Sequence, residues 1–184
     1  MSEKSSAGMD LEALQYPIGK LAAAPSLTAA DRPALIGEIA ALPAEVANAV
    51  AGLSDAQLDT PYRPGGWTAR QVVHHLMDSH LNGYARFKFA MTEVESPIRP
   101  YDQAKWAELQ DAKTGEIAPS LQILVPLHAK WVEFLRNLTA DDFGRIALHP
   151  VRGPVTLDFL LQLYAWHGKH HVGHITSLRT REGW

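Results

Sequence analysis

The sequence predicts an all-α fold, an up-and-down four-helix bundle with a short irregular or hairpin insertion before the last helix. Three observations lead there. Apolar residues recur at helical spacing over several long stretches, most of them opened by a residue able to cap a helix. No segment sustains the period-2 alternation of a half-buried strand. Proline and glycine divide the chain into about five helical stretches, a pattern that packs as helix on helix.

The first stretch is expected over Asp31–Leu53, with Asp31 as a cap, Pro33 in the first turn and Pro43 kinking or splitting it. A loop rich in turn formers follows, Asp59–Gly66. The second helix begins at Thr68, where Thr68 and Gln71 form a capping-box pattern, and runs to about Met91. Residues 95–100 end it, and a short helix fits Gln103–Leu109. The third long helix is expected over Ser120–Leu138, with a kink at Pro126, and Thr139–Asp142 begins a short turn. Ile146–Val155, with His149-Pro150 and Gly153-Pro154, reads as a loop or small hairpin. The last helix runs from about Thr156 to Arg181. Residues 1–15 are expected to be a disordered leader, small and polar over Met1–Met9, and residues 16–184 a single domain.

Composition narrows the function classes. A chain of 184 residues with 46% apolar and 20% charged residues is of a size and kind to bury one core. The net charge is −3 with Lys and Arg scattered, which argues against nucleic acid and anionic membrane surfaces as partners. No apolar run approaches the roughly 18 residues of a membrane span. Cysteine is absent, which excludes disulfides, a cysteine nucleophile and a thiolate metal site, and fits a cytoplasmic protein. A metal would have to be held by histidine and carboxylate, and nine histidines are present.

The placement of those histidines is the main signal. On the last helix, His167 and His171 are four residues apart, so both lie on one face, one turn apart. His170 and His174 form a rival pair. The apolar stripe of Leu157, Leu161, Tyr164, Gly168, Ile175 and Leu178 separates the two. His171 falls near its centre, with His167 about 60°, His174 about 80° and His170 about 120° away, at about 100° per residue. His170 is therefore expected at the surface. On the second helix, His75 flanks the stripe of Val72, Leu76, Gly83, Phe87 and Ala90, while His74 lies nearly opposite it. Three imidazoles, His75, His167 and His171, thus converge from two helices on one divalent transition metal. Three protein ligands and one open position is the arrangement of catalytic zinc. Imidazole suits nickel, iron and copper as well. Gly168 stands where a His-Glu-x-x-His protease carries its general base, so that mechanism is excluded.

Several segments resemble the YfiT branch of the DinB-like superfamily. They are Gln57–His80 (QLDTPYRPGGWTARQVVHHLMDSH), Arg86–Lys88 (RFK), Ile98–Tyr101 (IRPY), Tyr164–Ile175 (YAWHGKHHVGHI) and the N-terminal Tyr16–Lys20 (YPIGK). The resemblance implies a four-helix bundle whose three-histidine metal site falls on His75, His167 and His171. It also implies a homodimer and a metal-dependent hydrolase. Some members resemble S-transferases that conjugate a low-molecular-weight thiol, such as bacillithiol, to an electrophile. The superfamily often has Gln where His174 stands, which makes His174 a pocket wall or an outer neighbour of the metal rather than a ligand.

The expected function is therefore a metal-dependent enzyme, hydrolase or thiol S-transferase, acting on a small molecule, with zinc or nickel in the site. His174 and Asp78 are the candidate proton-transfer groups by proximity. Trp67, Trp131 and Trp166 are expected to pack. Arg63 could meet an acidic substrate group or cap a turn. Arg99 and Tyr101 could form a lid or a solvated loop, and His80 and His149 are expected to be structural or exposed. Two other readings stay open: a non-catalytic metal or small-ligand binding bundle, and a bundle whose histidines are hydrogen-bonded core residues.

Overall fold

The computed structural model describes residues 10–184, so the leader expected over Met1–Met9 lies outside the described residues. The end of that leader is helical. Asp10 caps α1 (Leu11–Gln15), its carboxylate accepting from the amides of Glu12 and Ala13. Four long helices follow: α2 (Asp31–Val50), α4 (Ala69–Thr92), α7 (Ile117–Arg136) and α9 (Leu157–Glu182). Short helices α3 (Asp55–Leu58), α5 (Gln103–Ala107), α6 (Gln110–Thr114) and α8 (Ala140–Phe143) fill the connections. β2 (Ile146–His149) and β3 (Gly153–Thr156) form the hairpin, and β1 (Ser96–Pro97) adds a parallel third strand that periodicity did not reveal.

Helix boundaries follow their caps. Thr68 and Gln71 close the capping box that opens α4. Thr156 accepts from the Phe159 amide to open α9, and Gly183 closes that helix in the left-handed region. Asp31 is not the cap of α2. It is the first helical residue, and its carboxylate binds the amide and hydroxyl of Thr28.

Pro43 and Pro126 lie inside α2 and α7, and neither splits its helix. The reason at Pro43 is visible. A proline deprives the carbonyl four residues earlier of its donor, here Ile39. His128 of α7 supplies the replacement, its Nδ1–H donating to the Ile39 carbonyl at 2.6 Å. Burial favours neutral His128 and pushes its pKa down, outweighing the carbonyl's opposing effect.

The neighbour order is not sequential. α2 packs on α7 and α9, and so does α4. Of the long helices consecutive in sequence, α4 and α7 pack side by side, whereas α2 and α4, and α7 and α9, face one another across the bundle, and the long α2–α4 and α7–α9 connections make that possible. The core fills the space between them, with Trp131, Phe87, Leu160 and Leu161 at one end and Val46, Val72, Leu76 and Ile175 at the other. By length and hydropathy α2 does reach the minimum for a membrane-spanning segment, contrary to the sequence expectation. Here its Ile36, Ile39, Leu42 and Val46 are buried in the core.

Two glycines set the helix separations. A Cβ at Gly83 of α4 would lie 2.6 Å from the Tyr164 ring and 2.7 Å from the Trp131 ring. At Gly168 of α9 it would meet the methyls of Leu42 at 2.8 and 2.9 Å. The aromatic rings cannot yield as a leucine end can. Gly83→Ala is expected to cost about 1–2 kcal/mol net of its helix-propensity gain, a fall of roughly 2–8 °C in Tm. Gly168→Ala should cost less. Thermal denaturation of both variants checks the order, and an equal or reversed order contradicts it.

His128 also predicts a pH dependence. Its folded pKa is depressed, so its full stabilisation is present above the unfolded value of about 6.5 and is lost as pH falls below it. His128→Leu, which orphans the Ile39 carbonyl, should cost about 1–3 kcal/mol at pH 7. The gap to the unsubstituted protein should narrow by pH 5 in denaturant titrations of the metal-free forms.

Candidate metal centre

The direct packing of α4 on α9 brings His75 against the His167 and His171 pair. One ring nitrogen from each lies within 4.8 Å of the other two. His75 Nε2 and His167 Nε2 are 3.2 Å apart. Two tetrahedral ligands at a zinc–nitrogen length of 2.0–2.1 Å sit about 3.3–3.4 Å apart, so this separation fits one shared ion. Burial keeps the donors neutral. It lowers the pKa of His75 to about 4 and holds His167 and His171 well below the ordinary range, with the other imidazoles adding to the effect. A neutral imidazole carries the lone pair that a metal needs.

The hydrogen bonds fix where that lone pair sits. His174 Nε2 lies 3.0 Å from the Gln15 carbonyl, which can only accept, so His174 carries its proton on Nε2. Its Nδ1 is then an acceptor for His171 Nδ1, 3.3 Å away. His171 is left with its lone pair on Nε2. His167 has a matching partner, for its Nδ1 lies 3.2 Å from Nε2 of His80. Ligation through His167 Nε2 places the proton on Nδ1, where it donates to His80. Each histidine of the α9 pair is thus oriented by another histidine, as outer partners orient metal ligands.

A cavity of about 370 Å³ opens over the three imidazoles. Tyr16, Tyr62, Trp67, Trp166 and Arg63 form much of its wall, and no carboxylate among the described residues lines it. The indole of Trp67 packs against His75, ring centroids 4.6 Å apart, and Tyr62 stacks on His174 at 3.9 Å.

Of the two proton-transfer candidates, His174 is at the site but both its nitrogens are engaged. Asp78 is not in the cavity lining. It is half-buried, and burial with Asp111 nearby raises its carboxyl to about 6. His74 turns away from the centre, accepting from Ser120 Oγ at 2.8 Å and donating to the Gly115 carbonyl at 3.3 Å.

His170 is buried, not exposed. The wheel placed it toward solvent because it treats a helix as having one covered face. Here the N-terminal segment crosses α9 and covers a second: Pro17 lies against Gly173, Trp166 Nε1 donates to the Gly19 carbonyl, and Gln162 bonds both backbone groups of Ala24. His170 stacks on Trp166 at 4.4 Å. His80, expected to be structural or exposed, is fully buried and touches a candidate ligand. The pairing could not be foreseen because α4 and α9 meet at a register that no single wheel contains.

Trp131 packs in the core as expected, whereas Trp67 and Trp166 line the cavity. Arg63 also lines it, with its guanidinium over the Tyr62 ring. His149 caps the hairpin turn, accepting from the amides of Val151 and Arg152.

Comparison with known proteins agrees with this architecture. Residues 38–175 match the DinB superfamily. The chain is 47% identical over 172 residues to the Bacillus subtilis (strain 168) protein named "Putative metal-dependent hydrolase YfiT", covering 93% of this chain and 97% of that one. A Bacillus mycoides (strain KBAB4) relative, also named "Putative metal-dependent hydrolase", is 49% identical over 171 residues, 93% of this chain and 98% of its own. The solved structure of Bacillus subtilis YfiT superposes with a TM-score of 0.90 at 48% identity, over 94% of this chain and 99% of that one. It is described as "a probable metal-dependent hydrolase with an unusual four-helix bundle topology". This chain belongs to the DinB superfamily, on its YfiT branch.

Proposed function

We propose that this protein is a metal-dependent hydrolase in which His75, His167 and His171 hold one divalent transition metal, zinc or nickel, through their Nε2 atoms. The observation that carries the proposal is the convergence of three neutral imidazoles at the floor of a cavity, with the lone pair of His171 aimed by its neighbours. The relatives' names support the same reading. When bound, the metal supplies Lewis acidity at an open coordination position and makes a group held there more acidic.

The chain's own residues do the rest. His80 and His174 act as positioning residues, holding the rings of His167 and His171. Trp67, Tyr62 and Trp166 wall the cavity and limit the access of bulk water. Gly168 explains why no protease-type glutamate serves as base: that position faces Leu42 of α2, not the metal.

One observation favours a second reading, transfer of a low-molecular-weight thiol to an electrophile. Among the described residues the cavity has no carboxylate base, and a thiol ionises far more readily than water. In that reaction a sulfur–carbon bond forms at the electrophile while its leaving group departs with the bonding electron pair. Assays with ester and amide panels, and with a model electrophile plus thiol, separate the two.

Protein purified without a histidine tag is expected to carry about one divalent metal per chain. His75→Ala, His167→Ala and His171→Ala should each lose it, while His149→Ala should not, measured by elemental analysis of folded protein. Full retention in His75→Ala would falsify the ligand set. His80→Phe and His174→Phe should leave the fold intact but weaken metal affinity about 10–100-fold, read by competition with a chelator. Unchanged affinity in both would remove their positioning role.

A further inference from the structure

A second cavity, of about 500 Å³, adjoins the first, with His167 and Gln103 lining both. Its walls include Arg86, Tyr101, Tyr164, Ile98 and Leu163. Arg86 is the distinctive member. Its guanidinium donates to the Tyr164 hydroxyl at 2.7 Å and to the Arg99 carbonyl at 3.3 Å. Arg32 and Arg70, also drawn into the fold, face carboxylates, Asp158 for the first and Asp55 and Asp59 for the second, whereas Arg179 bonds the Ala49 and Ala51 carbonyls away from the metal centre. Arg86 has no carboxylate partner among the described residues. The one acid that lines the cavity, Asp102, is committed elsewhere, capping α5 and pairing with Lys105 at 3.2 Å.

Arg86 is also well placed relative to the metal centre. It follows His75 by eleven residues on α4, about three turns, which returns it to within about 20° of the same face. Helical side chains lean toward the N-terminus, so Arg86 leans back toward the histidines. Tyr164, which it binds, precedes His167 by one turn of α9. Tyr164 is buried and locked against Gly83 and Trp131, so the guanidinium rests on a rigid support. An arginine has five N–H donors, and the two contacts leave several directed elsewhere. A metal dication nearby would make the cavity more positive still.

We propose that this second cavity binds the carboxylate end of an elongated substrate whose other end reacts at the metal, with Arg86 as the recognition residue. The inference rests on the metal reading above. A single free guanidinium between the apolar walls of Ile98 and Leu163 suits one planar monoanion better than a dianionic phosphate. It assigns the substrate a class: a carboxylate joined by a spacer to the reacting group.

The test uses full-length protein loaded with cobalt(II), whose visible absorption reports thiolate binding. The probes are ω-mercaptocarboxylates of increasing chain length, each compared with the ω-mercaptoalcohol of the same length. At the chain length that bridges the two cavities, the carboxylate should bind about tenfold tighter or more than its alcohol. Arg86→Gln should abolish that preference while cobalt content and alcohol affinity stay the same, and Arg86→Lys should recover part of it. Equal affinities at every length overturn the proposal, as does a preference that survives in Arg86→Gln. A preference lost in Arg63→Gln but kept in Arg86→Gln overturns it too, since the anion would then sit in the first cavity. Failure to take up cobalt is seen before any thiol is added and counts against the metal reading alone. In that event calorimetric titration of the metal-free protein with hexanoate against hexanol decides the matter, and heat that does not depend on Arg86 overturns the proposal.

Discussion

Helices α4 and α9 approach as closely as they do because residue 83 has no side chain. A methyl group there would press into Tyr164 and Trp131, and both rings are held on all sides. Everything functional in the molecule depends on that approach. It sets His75 against His167 and His171, seats His80 beneath His167, and brings Arg86 to the Tyr164 hydroxyl. The non-sequential order of the helices is part of the same constraint. With α2 across from α4 and α7 across from α9, α4 and α9 become neighbours, with α7 beside α4 and α2 beside α9.

Burying so many imidazoles has an energetic cost that the fold meets by keeping them neutral and giving most of them one or two hydrogen-bond partners, although His80 Nδ1, His128 Nε2 and His170 Nδ1 are left without one. Desolvation disfavours the imidazolium throughout the cluster. Neutral imidazole offers one donor and one acceptor, and the arrangement uses this directionality. Backbone carbonyls at Gln15, Gly115 and Ile39 fix the tautomers of His174, His74 and His128. Three carbonyls on separate elements thereby determine which nitrogen each ring presents to its neighbours.

Much of this was legible in the sequence. The four long helices, the capping box of α4 and the hairpin follow from local rules, and residue pattern chose His75 over His74 and the His167/His171 pair over its rival. The structure brings those three together. What was not legible depends on contacts between elements distant in the chain. His170 was expected at the surface because the covering segment, residues 16–24, is irregular and has no periodicity to announce it. The continuity of α2 through Pro43 needed a donor from another helix, which no local rule supplies. Ser96–Pro97 is too short to show alternation and is a strand only because β2 lies beside it. Asp78 is near the candidate ligands in sequence but shares the face of His74, four residues earlier, which looks toward α6, where Asp111 lies.

The segment that enters the site from outside the bundle has a further consequence. Gln15 is the last residue of a short helix near the start of the chain, yet its carbonyl sets the proton on His174, which in turn sets the lone pair of His171. The arrangement of the innermost histidines is therefore tethered to the outermost segment. A tag, cleavage or fusion that pulled residues 15–24 off α9 would leave all three imidazoles in place and the bundle intact. It would nevertheless free His171 to present the other nitrogen, so residues 15–24 help to orient the candidate metal-binding histidines.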